Sequence, residues 1–68
     1  MDNQKLVAEW QAKIVECCEA KLGRVLSPTE RQSIARFNGF QALEMIEDTV
    51  NQSEPKDVEQ YLVSLAAQ

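Results

Sequence analysis

Apolar residues along this chain recur at spacings of three and four, the signature of one helical face, and the flanking periods stay near 3.6 rather than 2. The first stripe is Val7, Trp10, Ile14, Cys17, Cys18 and Leu22, widened by Leu6, Ala8, Ala12 and Val15. Residues 3–22 hold neither proline nor glycine and are rich in Ala, Glu, Lys and Gln, which predicts one long helix. A stripe that broad predicts contact with more than one neighbouring helix. Gly23 follows directly, where a left-handed C′ glycine would close the helix.

Three shorter helices are predicted after it. Ser27-Pro28-Thr29-Glu30 places serine at the N-cap, proline at N1 and glutamate at N3, each suited to the unpaired N–H groups of a helix start. This second helix turns Ile34, Phe37 and Ala35 inward and Arg31 and Arg36 outward, and stops at Asn38. At the corner Phe37-Asn38-Gly39-Phe40, Asn38 is the expected N-cap of a third helix, Gln41 to Val50, with Gln41 reaching back from N3. Its stripe is Phe40, Leu43, Ile46 and Val50, with Ala42 alongside. Asn51-Gln52-Ser53 reads as a polar turn, and Ser53-Glu54-Pro55 begins a last helix with Val58, Tyr61, Leu62 and Leu65 on its apolar face.

The fold class expected is therefore all-α: a compact bundle of four helices, one long and N-terminal and three shorter, forming a single domain over residues 1–68. The second helix is short and the connections are tight, which favours orthogonal packing, with the long helix lying across the other three. A core in 68 residues buries only about 60% of the surface exposed by the unfolded chain, so tight packing or self-association is expected.

Composition changes this picture in one respect, the charge. The chain carries −4 overall, which disfavours nucleic acid and anionic membranes through the general field. The asymmetry is sharper than the total. Residues 37–68 hold six acids, Glu44, Glu47, Asp48, Glu54, Asp57 and Glu59, against Lys56 alone. Residues 21–36 hold Lys21, Arg24, Arg31 and Arg36 against Glu30. There is no apolar run near the roughly 20 residues a membrane span needs and no apolar region of a signal peptide, so a cytoplasmic location is expected. Adjacent Cys17 and Cys18 fit reduced thiols in such a compartment.

Candidate chemistry is sparse. The chain has no histidine to act as a base beside a nucleophile. Lys13 or Lys21 could activate Cys17 or Cys18 from within one helical turn, but the apolar stripe makes both thiols core residues first. Two adjacent thiolates fall short of the four ligands of a zinc site. Asp48 and Glu59 have the spacing of positions 1 and 12 of a calcium loop, yet Val50 occupies the third position, Ser53 the glycine site and Lys56 the ninth. No catalytic residue, metal, cofactor or small-molecule substrate is inferred. Thr29 to Val50 has the layout of a helix-turn-helix, in which the second helix would bring Glu44, Glu47 and Asp48 to DNA with the wrong sign.

The expected function is a non-catalytic protein-interaction or regulatory module. Its partner is another protein, or a second copy of itself in a homodimer. Glu44, Glu47 and Asp48 form the acidic docking surface, and Trp10 and Tyr61 are of residue types enriched at interface hot spots. Two alternatives involve nucleic acid: a regulator contacting phosphates or an acidic partner through Arg24, Arg31 and Arg36, and an acidic mimic of nucleic acid.

Phe37-Asn38-Gly39-Phe40 together with Asp57-Val58-Glu59-Gln60-Tyr61-Leu62 resembles fragments of a ubiquitin-associated domain, whose first loop carries Met-Gly-Phe or Met-Gly-Tyr. The resemblance covers scattered positions beyond Glu30 and implies ubiquitin binding through Gly39-Phe40 and the last helix. Asn38 stands where that loop has methionine, and the next helix is expected to start at once, so the chain is not assigned to the family.

Overall fold

The computed structural model describes residues 3–67 and places them in four helices: α1 Asn3–Leu22, α2 Pro28–Ala35, α3 Phe40–Gln52 and α4 Pro55–Ala66. No strand occurs among the described residues. The helix α1 packs against α2, α3 and α4. Twenty residues at 1.5 Å each make it about 30 Å long, and it sets the 37 Å long axis of the molecule.

Helix ends follow the local chemistry closely at the α1–α2 connection. Gly23 adopts φ 69° and donates its N–H to Glu19 O at 2.8 Å, which closes α1. Ser27 Oγ accepts from the Glu30 N–H at 3.2 Å, while the Ser27 N–H donates to Glu30 Oε1 at 2.8 Å, a complete capping box with Pro28 at N1. The third helix departs from expectation. Its N-cap is Gly39, at φ −88° and ψ 139°, not Asn38, and no side chain caps it. The helix starts one residue later than the asparagine cap predicts. That places Phe40 at N1, where its ring meets Trp10 with centroids 5.9 Å apart, a contact that fixes the corner without Asn38.

Ile14 and Cys18 of α1, Ile34 of α2, Leu43, Ile46 and Val50 of α3, and Val58, Leu62 and Leu65 of α4 form the buried core, joined by Leu26 from the α1–α2 connection. Val7, Trp10, Cys17, Leu22, Phe37 and Tyr61 pack half-buried around it. Several residues expected on apolar faces lie outside: Leu6, Ala8 and Ala12 of α1, Ala35 of α2 and Phe40 of α3 are exposed, because each sits at the margin of its stripe. Ser33 is buried as well, its hydroxyl donating to Glu30 O at 2.7 Å. Among the described residues no buried side-chain nitrogen or oxygen lacks a partner.

Candidate interaction surface

The helix α1 does more than supply apolar surface, since its polar side chains close the ends of two other helices. The Gln11 amide donates to Phe37 O at 2.6 Å and Ala35 O at 3.3 Å, just past the end of α2. The Lys21 ammonium donates to Ser53 O at 2.6 Å and Asn51 O at 2.8 Å, at the end of α3. Both place donors on carbonyls that a helix terminus leaves unpaired, and a cation there also complements the helix dipole.

The basic stretch is largely occupied from within. Arg24 makes a two-pronged contact with Glu30, Nη1 to Oε1 and Nη2 to Oε2, each at 2.9 Å. Hydrogen bonds from Arg24 and from the Ser27 backbone lower the Glu30 pKa from 4.5 to about 2. Arg31 Nη2 lies 3.7 Å from Glu19 Oε2, whose carboxylate also accepts the Leu26 N–H at 3.0 Å. Arg36 is exposed. Lys21, one of the two lysines considered as thiol activators, is spent on carbonyl oxygens. Cys18 is fully buried, and desolvation, followed by the neighbouring Cys17 and the carboxylates of Glu30 and Glu19, pushes its pKa up to about 11. A thiol so placed is almost entirely protonated at neutral pH, so it is a poor nucleophile and metal ligand.

The acids of the C-terminal half are arranged differently. Glu44, Asp48, Glu54, Asp57 and Glu59 are exposed and Glu47 is half-buried. The ion pairs among the described residues join Arg24 to Glu30 and Arg31 to Glu19, and none includes an acid of α3 or α4. Asp48 belongs to α3 and Glu59 to α4, so their twelve-residue spacing crosses two helices instead of forming one loop. Trp10 and Tyr61 do not share a site. Trp10 lies against Phe40 on one side of α3, and Tyr61 lines a groove between α3 and α4.

That groove was not legible as a site. It has a volume of about 140 Å³ and is lined by Phe37, Ala42, Met45, Ile46, Tyr61 and Leu65. Met45 is 65% exposed beside buried Ile46 and Leu65. The helices α3 and α4 are joined by only Ser53 and Glu54, yet each packs more on α1 or α2 than on the other, and the apolar margin between them stays open. The available signal was Ala42, Met45 and Thr49, which widen the α3 stripe on one side. A wider and shallower groove of about 430 Å³ runs between α1 and α2 past Ala8, Ala12 and Ala35, with Glu16, Glu19 and Arg31 along it.

Phe37, Asn38 and Gly39 lie in the connection between α2 and α3, and α3 begins at Phe40, directly after Gly39. Compared with protein-family models, curated proteins and solved structures, the chain finds no match in any of the three.

Proposed function

We propose that this protein is a non-catalytic interaction module that presents the acidic surface of α3 and α4 to a partner protein of opposite charge. One observation carries the reading: the chain pairs Arg24 and Arg31 with Glu30 and Glu19, while no acid of its C-terminal half joins an ion pair among the described residues and only Glu59 acts on Arg24 through its field. An exposed charge cluster of one sign raises the rate of encounter with a complementary surface and repels like-charged ones. The buried, protonated Cys18 and the occupied Lys21 support a role without thiol chemistry. The internal pairing of Arg24 also favours a protein partner over phosphate, because its planar fork already holds a carboxylate.

The test is affinity capture from a native extract by the wild-type protein and by a Glu44→Lys/Asp48→Lys/Asp57→Lys variant. All three positions are exposed, so folding is expected to survive. The reading predicts a protein retained by the wild type at low salt and lost from the variant. Equal retention by both, or retention of nucleic acid by the wild type, contradicts it.

A further inference from the structure

We infer that the α3–α4 groove is the docking site for a basic amphipathic helix, which seats an apolar side chain against Met45, Ile46, Tyr61 and Leu65. The inference rests on the reading above and names the partner's chemistry. Three observations lead to it.

The groove is apolar and lies between two helices, and no strand exists among the described residues to pair with an extended peptide. A helix laid in a groove is the recognition mode such a surface supports. The 13 residues of α3 span about 20 Å, enough to face a helix of about 12–14 residues.

The lining of the groove carries no charge, and acids stand about one turn from it on both helices. Asp48 lies one turn beyond Met45 on α3, and Asp57 lies one turn before Tyr61 on α4, both exposed. Glu54 occupies the turn that joins the two helices. An occupant with apolar residues at i, i+3, i+4 and i+7 and lysines or arginines beside them satisfies the lining and the flanking acids together.

The same charges argue against a second copy of this chain. A twofold interface through one face sets each residue against its own symmetry mates, so Asp48 and Asp57 would be brought toward the acids of the other copy. Like charges at an interface oppose that pairing.

The probe is a synthetic amphipathic peptide of about 16 residues with a leucine stripe and a lysine and arginine polar face. Two controls accompany it, a scramble of identical composition and a version with glutamate on the polar face. Calorimetric titration is expected to show binding of the basic amphipathic peptide, weakened at least ~10-fold by Met45→Glu, which alters an exposed side chain and leaves the core intact. Asp48→Lys/Asp57→Lys is expected to weaken it similarly and to flatten its salt dependence. Equal binding of the scramble or of the acidic peptide overturns the inference. So does a dimer in sedimentation equilibrium that Met45→Glu dissociates, since a second copy would then be the occupant. If no peptide binds while the charge-reversed variant still loses its captured protein, the helix-in-groove inference fails and the acidic-surface reading stands.

Discussion

Lys21 closes the end of α3 from across the fold: its ammonium donates to the Ser53 carbonyl oxygen at 2.6 Å, and to that of Asn51 at 2.8 Å. The residue is in the last turn of α1, so one cation ties together two helix C-termini. Replacing it with methionine keeps most of the apolar stem and removes the charged donor. Lys21→Met is expected to cost about 1–2 kcal/mol and to lower Tm by about 5–10 °C, read by thermal unfolding followed by circular dichroism. An unchanged Tm would mean that solvent serves those carbonyls equally well.

Glu30 gives the fold an acid-sensitive element. In the folded chain Arg24 and the Ser27 backbone lower its pKa from 4.5 to about 2. Between those values the unfolded state binds more protons than the folded state, so stability falls as pH falls. The contribution is complete above about pH 5 and lost by about pH 2. Glu30→Gln is expected to flatten the pH dependence of urea unfolding in that window, and Ser27→Ala to cost about 1 kcal/mol at neutral pH through loss of the cap.

The two glycines are expected to respond in opposite directions. Gly23 sits at φ 69°, where a Cβ introduces backbone strain, so Gly23→Ala is expected to destabilise by about 1 kcal/mol. Gly39 has an ordinary extended backbone, open space around it and no side-chain cap to lose. Gly39→Ser is expected to stabilise by a few tenths of a kcal/mol or more by capping α3. Paired denaturation curves read both signs.

Cys18 is expected to resist alkylation until the chain unfolds. Its pKa of about 11, against 9.0 for an ordinary thiol, lowers the thiolate fraction about 100-fold at neutral pH, and its side chain is fully buried. With Cys17→Ser as background, iodoacetamide labelling followed by mass spectrometry is expected to track global unfolding in urea. Fast labelling of the native protein would contradict the burial of this thiol.

The helices were legible in the sequence because stripe and punctuation agree there: Gly23 and Ser27-Pro28 each sit where the backbone changes course. Asn38 misled because cap preference is local, whereas the backbone takes Gly39 as N-cap and carries Phe40 at N1 against Trp10, thirty residues away. Leu26 looked like part of a short connection and became core because the turn after Gly23 carries it inward. The acidic face of α3 was legible from spacing alone. Met45, and its alignment with Tyr61 into one groove, depends on how far α3 and α4 stand apart, which no single helix pattern encodes. The internal pairing of Arg24 was hidden in the same way, since the capping box and the arginine were read as separate features.

The central claim, that the margin between α3 and α4 receives a partner, is tested most directly by a titration of the ¹⁵N-labelled protein with the basic amphipathic peptide, followed by amide chemical shifts. The account predicts saturable shifts centred on Ala42, Met45, Ile46, Tyr61 and Leu65. Shifts centred instead on Ala8, Ala12 and Ala35 of the α1–α2 groove, or none at a peptide excess, would contradict it.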